Sequence, residues 1–174
     1  MVLTYAQKQK IGFSDCDING KAQIGRILSW FEDCRFEMSS FIGIQNFFPI
    51  NHRIPSDNEQ IPNQTGEEYY MPVLKVLYRE KKKLTYGETI LVHTHVEIPK
   101  SGQITFLHLI SDELGQEIFF YAVYTVGIVS TKMGLKYEVP FVFEEQIRLY
   151  LDYIEKEKKG FQLEIGEIEN EIHH

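Results

Sequence analysis

Apolar and polar residues alternate from the first positions onward. Leu3, Tyr5, Ile11 and Phe13 fall on one face of an extended chain and Lys8 and Lys10 on the other, which predicts a half-buried strand over residues 3–13. Residues 14–20 are rich in Asp, Asn and Gly and read as a turn. The period then lengthens. Ile24, Ile27, Leu28, Phe31, Cys34, Met38, Phe41 and Ile42 recur at three- and four-residue steps, Trp30 widens the stripe, and Arg26, Glu32, Asp33 and Glu37 mark the opposite side. That spacing predicts a helix over residues 24–42, closed by Gly43.

Residues 45–68 break both periods. Pro49, Pro55, Pro62, Asn51, Asn58, Asn63 and Gly66 make this a long loop, expected to lie over a functional site or to be mobile. Four Val-, Ile-, Thr- and aromatic-rich segments follow, at 70–82, 89–98, 103–111 and 117–130, joined by short links of turn chemistry. Short links imply antiparallel neighbours. A second amphipathic helix is predicted over 144–158, with Ile147, Leu151 and Ile154 on one face. The order is strand, long apolar helix, loop, four-stranded meander, helix. One helix must then cover one face of a curved antiparallel sheet, an α+β arrangement in which the sheet wraps a central helix.

Composition narrows this picture. The 174 residues suit a single domain over residues 1–158, with residues 159–174 as an acidic tail carrying Glu164, Glu167, Glu169 and Glu171. A net charge of −7 argues against nucleic acid as a partner. No apolar run approaches the roughly 20 residues of a membrane span, and residues 1–10 carry Gln and Lys where a signal peptide would be apolar, so a cytoplasmic protein is expected. Cys16 and Cys34 are too few for a disulfide framework and read as reduced thiols. His93 and His95 would share a strand face, but no Cys or carboxylate pattern joins them into a metal site, and no cofactor is implied.

The stretch Ile11-Gly12-Phe13-Ser14-Asp15-Cys16-Asp17-Ile18-Asn19-Gly20, followed by Trp30-Phe31-Glu32, resembles the 4-hydroxybenzoyl-CoA thioesterase family. The family has a strand, an Asp-x-Asp turn, a Gly three residues later and a helix bearing a Trp. Tyr86-Gly87-Glu88-Thr89-Ile90 resembles its aromatic-Gly-acid turn. The resemblance, which covers residues 3–140, also takes in the acyl-carrier-protein thioesterases. It implies the hotdog fold, a sheet rolled around one long helix, and hydrolysis of the thioester of an acyl-CoA or acyl-carrier protein. It assigns Asp17 as the base or nucleophile and the backbone N–H near Ile24 as the group that polarises the carbonyl.

The chemistry is consistent with elementary electrostatics. Thioester hydrolysis passes through an oxyanion, and a helix N-terminus presents unpaired N–H groups and positive potential. A carboxylate just before that helix can act on the same carbonyl. Lys21 stands where some relatives have His, and Gly25, Arg26 and Ile27 where many have Tyr or Asn, which leaves Asp17 as the one evident catalytic side chain. Asp15 is expected to brace the turn. Lys81, Lys82 and Lys83, with Arg79, form a basic cluster suited to coenzyme A phosphates or an acidic carrier, or else to a solvated strand edge. Phe47, Phe48, Tyr69 and Tyr70 flank the loop as acyl-pocket or core aromatics. His108, inside an apolar strand, is expected in the core. A homodimer or tetramer is expected, since a lone protomer of this fold leaves sheet edges and half a pocket exposed. The competing reading is a non-catalytic acyl-thioester-binding protein of the same fold. A dehydratase would need a His near the helix, and none precedes His52.

Overall fold

The computed structural model describes residues 2–49, 68–100, 102–136, 138–157 and 161–163. Among them, β1 (Val2–Lys10) is followed by a single 3-10 turn (Phe13–Asp15), the long helix α1 (Ile24–Phe41) and a second 3-10 turn (Ile44–Phe47). Next come β2 (Tyr69–Tyr70), β3 (Val73–Glu80), β4 (Thr89–Val96), β5 (Gln103–Asp112), β6 (Ile118–Ser130) and β7 (Gly134–Lys136). The helix α2 (Phe141–Glu157) and β8 (Phe161–Leu163) complete the described chain.

Every strand pairing is antiparallel. The spine of the sheet runs β6-β5-β4-β1, with β8 beyond β1. β6 is flanked by β3 and β5 along most of its length and by β2 and β7 near its end. The links behave as their residues require. Gly115 takes φ +72°, a left-handed conformation open to glycine, while the Asp112 carboxylate accepts the N–H groups of Gln116 and Glu117 and closes the β5–β6 turn.

α1 lies against the concave face. Ile27, Trp30, Phe31, Cys34 and Met38 meet Ile90, Val92 and Val96 of β4, Ile104, Phe106 and Ile110 of β5, and Phe120, Ala122, Tyr124 and Val126 of β6 in one core. The two-residue period of the strands and the helical period of α1 are thus satisfied by the same interface. This is the sheet-around-helix architecture expected from the sequence.

Four boundaries differ. β1 stops at Lys10, because the Gly12 N–H turns aside to the Asp15 carboxylate and starts the 3-10 turn. The segment expected as one strand at 70–82 is split at Pro72, whose carbonyl accepts the N–H of Gly127 but whose nitrogen cannot donate. α2 begins three residues early, at Phe141, its first turn closing on the Pro140 carbonyl. Within the expected acidic tail, Phe161–Leu163 pair with β1 as a strand. The remainder of 159–174 and most of the 45–68 loop lie outside the described residues. No helix among the described residues is long and apolar enough to cross a membrane.

Candidate functional site

The turn before α1 is tied in place by main-chain hydrogen bonds. Cys16 bridges to Ala22, the Asp17 N–H donates to the Lys21 carbonyl at 2.8 Å, and the Gln23 N–H donates to the Asp15 carbonyl at 2.9 Å. The link between β3 and β4 lies alongside. Ala22 donates to Leu84, Tyr86 donates to Gly20, and Lys21 bridges to Thr85. The turn is therefore anchored on both sides.

Within it, two carboxylates two residues apart have different roles. Asp15 is buried; it accepts the Gly12 N–H at 2.8 Å and Arg26 Nε at 3.1 Å. It braces the turn against the first turn of α1. Asp17 is exposed, and its Oδ1 accepts the N–H groups of Lys21 at 3.0 Å and Asn19 at 2.8 Å. Those backbone bonds, Lys21's first, hold the Asp17 carboxyl below the usual aspartate range. Among the described residues both main-chain donors go to Oδ1, and the Asn19 side chain adds a further hydrogen bond to the carboxylate, so the group is oriented from one side. The neighbouring Cys16 thiol is pushed up by desolvation and by Asp15 and Asp17, which keeps it protonated at neutral pH.

Ile24, 43% exposed, opens α1. Gln23 caps the helix with extended backbone (φ −75°, ψ 138°) and sends its side chain to the Cys16 carbonyl instead of to the helix N–H groups. Among the described residues no acceptor meets the N–H of Ile24 or Gly25. A Cβ added at Gly25 would meet nothing within 4 Å, so the tip faces open space. Ile24 follows Lys21 by three residues, a reach of at most about 10 Å of chain from the carbonyl that holds Asp17.

A collar of exposed apolar side chains surrounds this shelf. Phe13 is 85% exposed and meets Tyr86, also exposed, edge to face at 6.4 Å; Ile18 is fully exposed. The sequence places Phe13 on the half-buried face of the first strand, but β1 ends at Lys10, and in the 3-10 turn Phe13 is exposed; Tyr86 belongs to the aromatic-Gly-acid turn singled out in the sequence.

The three lysines of the basic cluster leave β3 toward Thr85, so they stand at the same end of the protein as the turn. Lys82 pairs with Glu117 at 3.3 Å, and Lys83 with Glu80. Lys82 also lies 4.1 Å from the Phe119 ring, and Lys81 5.9 Å from that of Tyr121.

Beneath α1 is a buried polar cluster that the sequence reading did not foresee in full. Arg35, 3% exposed, pairs with Glu32, donates to the Met71 carbonyl at 3.4 Å and lies over the Phe36 ring at 4.9 Å. Its position four residues after Phe31 and three before Met38, inside the apolar stripe, was the available signal. His108 is in the core as expected. Its Nδ1 meets Thr94 Oγ1 at 2.9 Å, its ring stacks on Phe31 at 5.0 Å, and Nε2 has no partner among the described residues. Burial, then the Arg35 charge, lowers its pKa to about 3, so it is neutral at physiological pH. Burial pushes the Tyr124 hydroxyl up to about 12.

A cavity of about 230 Å³ lies further along α1, lined by Phe36, Phe48, Tyr69, Tyr70, Met71 and Pro72. Three of the four aromatics singled out around the loop thus line it, and Phe47 packs instead on Phe143 at 5.4 Å.

No family model matches the chain, and no curated protein sequence aligns with it significantly. Solved structures do match. A 1,4-dihydroxy-2-naphthoyl-CoA thioesterase from Synechocystis superposes with a TM-score of 0.64 at 14% identity, over 83% of this chain and 96% of that one. A mutant 4-hydroxybenzoyl-CoA thioesterase complexed with 4-hydroxybenzoyl-CoA gives 0.63 at 14% identity, over 84% and 99%. A gentisyl-coenzyme A thioesterase gives 0.57 at 10% identity, over 85% and 99%. At such identities the likeness establishes the fold, which is the hotdog.

Proposed function

We propose that this protein hydrolyses the thioester of an acyl-CoA or acyl-carrier protein, with Asp17 as base or nucleophile and the N–H of Ile24 polarising the carbonyl. The observation that carries the reading is the pairing of an ionised, exposed carboxylate with unpaired helix N–H groups across one short, doubly anchored turn. In the reaction, the carbonyl oxygen settles on the helix tip, where the N–H groups and the helix dipole meet the developing negative charge. Asp17 Oδ2 either takes a proton from a water whose oxygen attacks the carbonyl carbon, or attacks that carbon itself to give an anhydride that water then hydrolyses, while Oδ1 stays fixed by Asn19 and Lys21. The thiolate leaves and is protonated by solvent. Thioesterase neighbours of the same fold support this chemistry, and fold alone does not fix it.

Lys81, Lys82 and Lys83 would add positive charge near the phosphates or acidic carrier attached to the thiol. The shelf is open in a single protomer. Its apolar collar, together with β3, which pairs with β6 on one edge and carries exposed Val73, Leu74, Leu77 and Tyr78, fits a homodimer or tetramer in which a second copy closes the site.

The test is release of free thiol from a panel of acyl-CoA and acyl-carrier substrates by the wild type and Asp17→Asn. Asn keeps an oxygen acceptor for the turn, so folding should persist while turnover falls about 10²–10⁴-fold. Equal turnover by the two proteins removes Asp17 from the mechanism. A second reading, acyl-thioester binding without hydrolysis, draws on the turn-bracing bonds to Asp17 Oδ1; tight binding with no thiol release by the wild type would select it.

A further inference from the structure

The cavity beside Phe36 is not used by the chemistry at the helix tip. Its walls are apolar and aromatic, lined by Phe36, Phe48, Tyr69, Tyr70, Met71 and Pro72; the nearby Arg35 pairs with Glu32 and donates to the Met71 carbonyl, while its Nε has no partner among the described residues. A dry apolar cavity of about 150 Å³ holds benzene, so about 230 Å³ has room for more than one ring or for several methylenes.

Its position relative to the tip follows from helix geometry. Gly25, Ser29, Glu32 and Phe36 recur at four-, three- and four-residue steps and so form one row along α1. Ser29, Glu32 and Phe36 are half-buried, and Gly25 is open at the start of the row. The row therefore leads along one flank of the helix from the unpaired N–H groups to the cavity. Twelve residues at about 1.5 Å each give a span of about 18 Å. An extended chain of single bonds advances about 1.2 Å per bond, so about 15 bonds cover that distance.

We propose that the cavity receives the far end of a long acyl chain, of about 14 to 16 carbons, whose thioester rests on the tip of α1. The assignment rests on the hydrolase reading for where the chain begins. A short or single-ring acyl group held at the tip would not reach Phe36, and the cavity would contribute nothing to its binding.

The experiment measures binding separately from turnover. Non-hydrolysable S-tetradecyl-CoA and S-octyl-CoA thioethers are titrated calorimetrically into the full-length protein, the wild type and two variants that fill the cavity, Phe36→Trp and Tyr70→Trp. Tyr70 is 40% exposed, so its variant reads the same wall should the Phe36 variant fail to fold. The wild type should bind the tetradecyl ligand at least about tenfold more tightly than the octyl one. Each Trp variant should lose that preference while octyl affinity stays within about twofold. Equal affinity for the two ligands, or Trp variants that weaken both alike or neither, overturns the assignment. Parallel thiol-release assays separate the two ideas. Length-dependent, Phe36-dependent binding without hydrolysis strikes only the enzymatic reading, and hydrolysis with length-independent binding strikes only the cavity.

Discussion

Two groups of titratable side chains lie along α1 in opposite surroundings. At the tip, Asp17 is solvated and held ionised by backbone N–H groups. Under the middle of the helix, Arg35, His108 and Tyr124 are buried; Arg35 pairs with Glu32, though its Nε has no partner among the described residues, and desolvation keeps His108 and Tyr124 neutral. Reactive residue types occur in both places, but only Asp17 is both ionised and open to solvent near neutral pH. The buried set contributes to packing and to the uniqueness of the core. Residue identity alone would have ranked His108 above Asp17 as an acid–base group, and its environment reverses that order.

The sharpest way to break this contrast is at the helix tip. Ile24→Pro removes one N–H at the first helical position, where proline is tolerated, and Gln23 already has the extended backbone a following proline requires. Thiol release should fall about 10²–10³-fold, with the thermal midpoint nearly unchanged. An active Ile24→Pro protein would show that the tip does not polarise the carbonyl.

The buried group should respond in stability and not in chemistry. Glu32→Ala strands the Arg35 guanidinium and should cost about 2–4 kcal/mol in urea unfolding. Arg35→Met, which removes the charge and keeps the bulk, should cost less. If the order is reversed, the pair is not the unit that stabilises this part of the core.

A smaller effect separates the groups by pH. His108 takes up its proton at about 3 when folded and near 6.5 when unfolded. Between those values the unfolded chain binds more protons, so stability falls as pH drops below about 6.5. His93, lowered to about 4 chiefly by burial, acts in the same sense. Thermal midpoints measured from pH 7 to pH 5 should decline, and His108→Asn should flatten the decline. A slope unchanged in that variant would mean that His108 is not the group responsible.

The smallest shift is in the rate profile. Because Asp17 is held below the ordinary aspartate range, its carboxylate is lost only as pH falls through that lowered value. The acid limb of kcat/KM should lie below about 3.9, the usual aspartate value. A limb near pH 6 would point to another group.

Much of this organisation was legible in the sequence because it is periodic. The three- and four-residue stripe of α1 and the four segments of the meander determine the layers, and the Asp-rich turn between β1 and α1 marks the candidate site. The pieces that escaped depend on partners distant in sequence. Lys82 finds Glu117 only because β3 lies against β6, so the basic cluster looks freer in sequence than in space. β7 and β8 are three residues each, too short to show a period. Phe36 falls outside the apolar stripe read from the sequence, and its role as a cavity wall arises only because Tyr69 and Tyr70, distant in the chain, are brought alongside it.

α2 holds a less obvious share of the protein's behaviour. Phe143 touches Phe47 at 5.4 Å and Tyr69 at 5.3 Å, the first adjoining Phe48 in the chain and the second itself a wall of the cavity. The C-terminal helix thus works as a clamp on two wall segments that belong to different parts of the chain. A change on its inner face would therefore reshape the cavity wall from a distance while leaving the turn at Asp17 and the start of α1 untouched, so the two ends of the helix can vary independently.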